Sequence, residues 1–241
     1  MELKQIAHIE NDYTDKFGIP RQAGLADVPG RVVFEPEYRR EEAVRGLDGF
    51  DYVWLIWGFS ETFARADEVD PRMKQLDWSP TVRPPRLGGN RRMGVFATRS
   101  PNRPNPIGLS SLRLERVEID PVLGPVLYVR GVDLLNGSPI YDIKPYIPLA
   151  DCHEGVRGGF TEEFDDYVLA VDFPAELLEM IPEEKRKGLL EALAQDPRPT
   201  YREEGDRVYG LSFGGFNLRF TVADKTLTVV AVEREKGGKR V

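Results

Sequence analysis

The chain has 241 residues, of which 41% are hydrophobic and 30% charged, a composition that is ordinary for a globular protein. This length suffices for one large domain or for a domain with a smaller companion, and we expect two unequal parts. The longest apolar run, at residues 52–59, is far too short to cross a bilayer, and the first residues lack the apolar block of an export signal. We therefore expect a cytoplasmic protein without a membrane segment.

Cysteine and histidine are too scarce to build a disulfide or a metal centre. Cys152 is the only cysteine, which excludes an internal disulfide, and the only histidines, His8 and His153, form no cluster at the spacing of metal ligands. The sequence thus predicts no metal site.

The charge is unevenly distributed along the chain. The net charge of -7 argues against a non-specific nucleic-acid binder, because such proteins need a cationic surface. Between Asp77 and Glu115, however, there are seven arginines and no acidic residue, while the rest of the chain carries all 40 acids against 26 basic residues. This segment is suited to an anionic ligand; the alternative is a solvated face produced by chance composition.

The first third of the chain reads as strands with one helix. Short alternation at residues 3–9, a β-branched run at 30–34 and the aromatic run at 50–59 predict strands, the third fully buried. Residues 36–47 begin with Pro36 and predict a short helix. The long irregular segment at 62–92 is rich in proline, glycine and arginine, which favours a binding element.

Three further strand candidates follow, at residues 92–98, 107–119 and 124–135. Short strands without intervening helices indicate an antiparallel barrel or sandwich. No GxGxxG motif follows any strand, so the usual nucleotide cradle of a doubly wound fold is absent.

The pattern changes after a polar, glycine-bearing stretch. We place the domain boundary there, with domains at 1–150 and 166–241 joined by a linker at 151–165. Residues 182–195 predict an amphipathic helix, and 207–213, 216–222 and 226–232 predict strands, the first two joined by a tight Gly-Gly hairpin. The fold class is therefore mainly β, with a small α+β C-terminal domain.

Two proline-stiffened segments present polar side chains. In "FGIPRQAGL", Arg21 and Gln22 directly follow a proline; an ordinary exposed loop is the alternative. In "FATRSPNRPNPIG", three prolines hold the backbone extended, so little entropy is lost when Arg99 and Arg103 engage a ligand. Guanidinium groups bind carboxylate or phosphate bidentately, and this segment predicts a preorganised polar clamp.

Two further segments are candidates for chemistry. In "DLLNGSPIYDIKPYIP", Asp142 and Lys144 share one face of an extended chain while Tyr141 points the other way, so a pair could converge to move protons. The alternative is a surface ion pair beside a core tyrosine. "DPRPTY" closes the C-terminal helix, and a helix end with proline breakers is sufficient to explain it.

Together, these four segments resemble the TsaA-like (TrmO) family of tRNA methyltransferases, which N6-methylate threonylcarbamoyl-adenosine (t6A to m6t6A) at position 37, next to the anticodon. The likeness spans nearly the whole chain. It implies a small β-barrel that binds S-adenosyl-L-methionine without a Rossmann fold, a homodimer, and a C-terminal domain that helps to hold tRNA.

The resemblance also implies roles for individual residues. It places the methyl donor against Pro20, Arg21, Gln22, Ser60, Glu61, Arg99, Leu109, Asp133, Leu134, Leu135 and Asn136. Many relatives have a His-Gln or similar pair where this chain has Ser60 and Glu61. The substrate would meet Arg103, Asn105, Arg198 and Tyr201, and the candidates for proton transfer, unranked, are Tyr141, Asp142 and Lys144.

Two other functions compete with methyl transfer. A non-catalytic RNA-binding or adaptor barrel would bind tRNA without a methyl donor. A hydrolase of a nucleotide-like substrate could use Asp142 and Lys144, although the sequence shows neither a metal cluster nor a Ser/His arrangement.

Overall fold

The computed structural model describes residues 2–59, 78–84, 91–164, 167–198 and 207–235. Within these ranges the strands, in chain order, are β1 (Ala7–Asn11), β2 (Pro29–Phe34), β3 (Tyr52–Gly58), β4 (Thr81–Val82), β5 (Met93–Gly94), β6 (Ile107–Asp120), β7 (Gly124–Arg130), β8 (Pro139–Pro145), β9 (Ala170–Asp172), β10 (Tyr209–Phe213), β11 (Phe216–Ala223) and β12 (Thr226–Arg234). The α-helices are α1 (Pro148–Asp151), α2 (Ala175–Leu178) and α3 (Glu183–Ala194). None of the helices in these ranges has the length and apolar character needed to cross a membrane.

Six strands close into an antiparallel barrel in the order β1-β2-β7-β6-β3-β8, with β8 pairing back to β1. Along the strands buried and more exposed side chains alternate, because a barrel wall has one face toward its core. Ile9, Leu55, Leu112, Leu127 and Ile140 are fully buried in that core. The prediction of a mainly β protein with an antiparallel barrel is confirmed.

Three connections of the barrel meet at one end, which we call the upper rim. Because every neighbouring pair of barrel strands is antiparallel, the β1–β2, β3–β6 and β7–β8 connections lie at the same end. The upper rim therefore comprises residues 12–28, residue 59, residues 78–84 and 91–106, and residues 131–138. The β2–β3 connection and the β6–β7 turn lie at the opposite end.

The C-terminal part of the chain forms a four-stranded sheet in the order β10-β11-β12-β9, with β9 parallel to β12. Leu189 and Leu193 of α3 and Phe220 of β11 are fully buried in its core. The predicted helix and hairpin are confirmed. The boundary placed at residues 151–165 stays a prediction.

Residues of the β1–β2 connection belong to this second core. Tyr13, Ala26 and Val28 are buried there rather than in the barrel. Helix α3 approaches Val28 closely because it carries Gly188, where a Cβ atom would lie 2.9 Å from a Val28 methyl. The connection is therefore built into the C-terminal core.

Three local predictions differ from the structure. The segment predicted as one helix at residues 36–47 forms three short 3-10 turns, Pro36–Tyr38, Glu41–Val44 and Leu47–Gly49. Val44 is the only buried residue of these turns, so the segment has no apolar face that could stabilise a longer helix by packing. Strand β3 alternates rather than being fully buried, since one face of the wall lies outside the core. The strand predicted at 92–98 is reduced to β5 and a 3-10 turn, Val95–Ala97. Most of the predicted binding loop at 62–92 lies outside the described residues.

Candidate active site at the upper rim

The segment that carries Pro20, Arg21 and Gln22 is held from two sides. Just before it, Gly18 has a φ of 95°, and a Cβ atom there would lie 2.2 Å from Leu211 of the C-terminal sheet. Just after it, the amide of Gly24 donates to the carbonyl of Gly131, 2.9 Å away, after strand β7. Pro20 itself is buried, whereas Arg21 and Gln22 are half-buried. The polar pair is therefore presented from a fixed turn.

Arg99 and Asp133 converge on this turn from the other two connections. Nη1 of Arg99 donates to Oε1 of Gln22. Burial raises the pKa of Asp133 from its ordinary 3.8 to about 6, opposed by a hydrogen bond from Ser110, the nearby Arg99 guanidinium and the backbone amide of Ala23. All three connections of the upper rim thus contribute to one polar cluster.

One oxygen of Asp133 has no hydrogen-bond partner in the described structure. Its Oδ1 is buried and unpaired, although buried polar atoms in proteins are nearly always satisfied. A carboxylate oxygen can only accept hydrogen bonds. The cluster therefore offers an acceptor to a ligand that carries N–H or O–H groups.

Sequence reasoning missed two residues behind Asp133. Trp57 of β3 donates from Nε1 to Oγ of Ser110, 3.0 Å away, and Ser110 is one of the groups that lower the pKa of Asp133. Trp57 packs against Gly108, where a Cβ atom would be 2.2 Å from the indole ring. The only sequence signal was the small-residue pattern "IGLSS", which by itself is an ordinary strand.

The loop at residues 91–106 is braced by its own arginine. Nη2 of Arg103 donates to the carbonyls of Val95 and Thr98, at 3.0 and 2.7 Å. The Arg103 side chain is therefore partly committed to the loop, while its buried Nε has no partner. Asn105 is exposed, and its carbonyl accepts from the amide of Ile107 at 2.7 Å.

The segment 133–136 is pinned to strand β1. The side chain of Asn11 donates from Nδ2 to the carbonyl of Leu134 at 3.0 Å, and the backbone amide of Asn11 donates to Oδ1 of Asn136 at 2.9 Å. Leu134 is fully buried and Leu135 half-buried, so in this segment Asp133 and Asn136 supply the polar side chains.

Tyr141 does not point away from Asp142, as strict alternation predicted. Strand β8 has a bulge between its pairings Ile56 with Asp142 and Trp57 with Ile140, which leaves Tyr141 as the extra residue. Its ring lies over Gly58, where a Cβ atom would be 2.5 Å from the Tyr141 hydroxyl. Tyr141 therefore joins Asp142 on the outer face of the wall.

Asp142 and Lys144 form an ion pair on this outer face, with 2.9 Å between Oδ2 and Nζ. Both side chains are substantially exposed. Burial raises the pKa of Tyr141, which keeps its hydroxyl protonated. Leu109 is 48% exposed and lies in the same row of the sheet, across Ile56 from Asp142. It lies on the opposite side of β6 from Ser110.

Arg198 lies in the C-terminal part, where it is held by a buried carboxylate. Nε and Nη2 of Arg198 donate to the two oxygens of Asp196, at 2.8 and 2.9 Å, and the Tyr167 hydroxyl donates to the second oxygen at 2.7 Å. Asp196 is 3% exposed and has a φ of 53°. Ser60, Glu61 and Tyr201 lie outside the described residues.

Comparison with known proteins identifies the family of this chain. Family models match residues 8–152 as the tRNA-methyltransferase O N-terminal domain and residues 166–235 as the TrmO C-terminal domain. This chain belongs to the tRNA-methyltransferase O family. It is 40% identical, over 96% of its length and 97% of the relative's, to the tRNA (adenine(37)-N6)-methyltransferase of Escherichia coli K12.

Other members of the tRNA-methyltransferase O family are also similar. A Pseudomonas aeruginosa protein described as a putative S-adenosylmethionine-dependent methyltransferase is 40% identical over 87% of each chain. A crystal structure of TrmO from Pseudomonas aeruginosa superposes with a TM-score of 0.72 at 29% identity, covering 97% of this chain and 98% of the other. The sequence-based family assignment and the assignment as an enzyme are confirmed. Among the described residues, no three His, Cys, Asp or Glu side chains are grouped to hold a metal.

Proposed function

We propose that this protein transfers a methyl group from S-adenosyl-L-methionine to N6 of adenine 37 in tRNA, on the threonylcarbamoyl-modified base (t6A to m6t6A). The observation that carries the proposal is the convergence of Gln22, Arg99 and Asp133 on one rim of the barrel. The names of the E. coli and P. aeruginosa relatives support the reaction and the donor.

The polar cluster suits such a donor chemically. The unpaired oxygen of Asp133 can accept from an amino or hydroxyl group, and the Arg99–Gln22 pair offers a guanidinium edge and an amide beside it. When bound, S-adenosyl-L-methionine supplies an electrophilic methyl group on a positively charged sulfur. Pro20, Arg21 and the 134–136 backbone complete the proposed enclosure, and Leu109, which lies on the outer face of β6, is proposed to contact a part of the donor that extends over that face.

Proton removal from N6 is assigned to the outer face of β8. Asp142 is the proposed proton acceptor because its carboxylate lies on this face in contact with Lys144, whose side chain can also stabilise negative charge that develops on the modified base. Tyr141 stays protonated and is therefore assigned to orienting the base by a hydrogen bond. The three residues act on one face because of the β8 bulge.

The carboxylate of the threonyl group should be bound by a guanidinium group whose position is fixed. Arg198 is held rigidly by Asp196 and Arg103 by its own loop, so either presents its remaining N–H groups at little entropic cost. Asn105 and Tyr201 are proposed to line the same substrate region.

Assembly and location follow from the substrate. We propose a homodimer, because two copies would double the arginine-rich surface that an otherwise acidic protein offers to tRNA. The cytoplasm is the proposed location, since tRNA is found there.

The test combines donor binding with product analysis. Calorimetry with S-adenosyl-L-methionine should show binding to the wild type that Arg99→Ala weakens roughly tenfold, the loss expected for a charged hydrogen bond. Arg45→Ala, an exposed arginine of the β2–β3 connection at the opposite end of the barrel, should leave the affinity unchanged.

Incubation with tRNA that carries threonylcarbamoyl-adenosine should then add one methyl group to that nucleoside, read by mass spectrometry. Binding of tRNA without donor binding would favour the adaptor barrel and contradict the proposal. Methylation of unmodified adenine 37 alone would leave the donor site standing and refute the t6A substrate.

A further inference from the structure

Phe96 is an aromatic side chain that the upper rim exposes to solvent. It is 77% exposed, whereas its neighbour Val95 is 1% exposed and anchors the turn. The ring of Trp78 lies beside it, with 6.1 Å between centroids and 31° between planes. Phe96 is exposed and Trp78 is half-buried, so the contact between them leaves most of the Phe96 ring in solvent, and folding alone does not explain its position.

The turn that carries Phe96 is firmly held. The amide of Val95 donates to the carbonyl of Pro80 at 3.0 Å, and Arg103 bonds the carbonyls of Val95 and Thr98. The Thr98 hydroxyl also donates to the Val95 carbonyl, at 2.9 Å. The exposure of Phe96 is therefore built into the turn and does not result from a frayed loop.

The surroundings of the pair are cationic. Arg83, Arg91, Arg92 and Arg99 are exposed on the same short stretch of chain, and residues 78–114 contain no acidic residue. Arg92 is fixed by donation to the Thr81 hydroxyl at 2.9 Å, and Arg91 pairs with Glu163 at 3.0 Å. A surface that combines aromatic faces with guanidinium groups favours a polyanion with flat, unstacked bases over an apolar protein segment.

We propose that Phe96 and Trp78 form a platform on which unpaired bases of the anticodon loop stack, with the adjacent arginines contacting the flanking phosphates. The inference rests on the proposed function and extends it, because it assigns the contact that holds single-stranded RNA next to the methyl-transfer site. Arg99 follows Phe96 by three residues and donates a hydrogen bond to Gln22, so the loop that carries Phe96 also contributes Arg99 to the polar cluster.

The test measures RNA binding separately from catalysis. An anticodon stem-loop RNA with 2-aminopurine in its loop should bind the wild type with quenched fluorescence. Phe96→Ala should weaken its affinity roughly tenfold or more, the usual loss of one stacked base, and Trp78→Ala should weaken it similarly. Phe96→Tyr should retain affinity and quenching, because it keeps a flat ring.

Two controls separate stacking from other effects. Val122→Ala removes an apolar side chain that is 80% exposed in the β6–β7 turn at the opposite end, and it should change nothing. The affinity of Phe96→Ala for S-adenosyl-L-methionine, measured by calorimetry, should equal that of the wild type.

The outcomes distinguish this inference from the proposed function. Wild-type RNA affinity in both alanine variants would overturn the platform while leaving methyl transfer untouched. Loss of RNA affinity in these variants, together with no methylation by the wild type, would support the platform and refute the proposed function. A changed oligomeric state with unchanged RNA affinity would show a protein contact and overturn the platform.

Discussion

Asp133 is a buried carboxylate that lowers the stability of the fold at neutral pH, a cost that its proposed role in donor binding would explain. Burial raises the pKa of Asp133 from 3.8 to about 6. Between these two pH values, the folded protein therefore keeps a proton on Asp133 that the unfolded chain has released. The stability gained from that proton is complete below about pH 4 and is lost as the pH rises through about 6. A shift of this size corresponds to about 3 kcal/mol of unfolding free energy.

Asp133→Asn should therefore make the protein more stable near neutral pH, by up to about 3 kcal/mol, and flatten the dependence of stability on pH between about 4 and 6. Denaturant unfolding of wild type and variant across that range measures both effects. The same variant should lose affinity for S-adenosyl-L-methionine. Asp172→Asn, at an exposed carboxylate of β9, is the control. A variant less stable than the wild type at neutral pH would contradict the assigned burial cost.

At the scale of elements, the bulge in β8 decides which side chains can act together. Without it Tyr141 would face away from Asp142, as the alternation of an ideal strand requires. Gly58, at the end of β3, leaves the space that the Tyr141 ring occupies. The position of Tyr141 therefore depends on two features: the bulge in the pairing of β8 with β3, and the absence of a side chain at Gly58.

Gly58→Ala tests this positioning without touching a reacting group. The new methyl would meet the Tyr141 hydroxyl at 2.5 Å, and the ring must turn aside because it is the more movable partner. We expect methyl transfer to fall about as far as in Tyr141→Phe, with donor affinity unchanged. Single-turnover methylation and calorimetry measure the two quantities. If Gly58→Ala retains full turnover while Tyr141→Phe does not, the ring position is unimportant.

Element prediction from the sequence worked where one pattern dominated. The alternation in β6 and β11 and the leucines of α3 mark a half-buried surface, and these elements form where predicted. The segment at 36–47 begins with a proline but lacks an apolar stripe, and 3-10 turns formed instead. A bulge cannot be predicted from alternation alone, because one extra residue moves every later side chain of the strand to the opposite face of the sheet.

The candidate site was predictable only in part for the same physical reason. Proline-stiffened arginine segments are visible in the sequence, and the structure brings Arg99 to Gln22. The support from Trp57 and Ser110 depends on the pairing of β3 with β6 and on a third connection that carries Asp133. Such a contact joins residues distant along the chain, and no local pattern encodes it.

At the scale of the whole molecule, the C-terminal part supports the β1–β2 connection, which carries Arg21 and Gln22 of the proposed methyl-donor site. Tyr13, Ala26 and Val28, at the two ends of the β1–β2 connection, are buried in the C-terminal core. Charged contacts reinforce this junction, since Lys187 donates to Asp27 at 2.8 Å and the Asp27 amide donates to Glu191 at 2.6 Å. The loop with Arg21 and Gln22 therefore depends on both parts of the chain.

Lys185 of α3 provides the sharpest test of this dependence. Its ammonium pairs with Asp12, which directly follows β1, and both side chains are largely buried, at 24% and 17% exposure. Gly214 adds a second contact with Asp12, because the Gly214 backbone amide donates to the Asp12 carbonyl at 2.9 Å. Removing one partner leaves the other charge poorly solvated.

Lys185→Met should lower the unfolding free energy by about 1–3 kcal/mol, the usual cost of an unpaired, partly buried charge. It should also weaken S-adenosyl-L-methionine binding severalfold, since the loop that carries Gln22 begins at Asp12. Asp12→Asn in the same chain should recover part of the stability, because it removes the stranded carboxylate. Arg219→Met, at an exposed position of β11, is the matched control and should change neither quantity. If Lys185→Met lowers the unfolding free energy but leaves the affinity for S-adenosyl-L-methionine unchanged, the C-terminal part stabilises the fold without positioning the β1–β2 connection that carries Gln22.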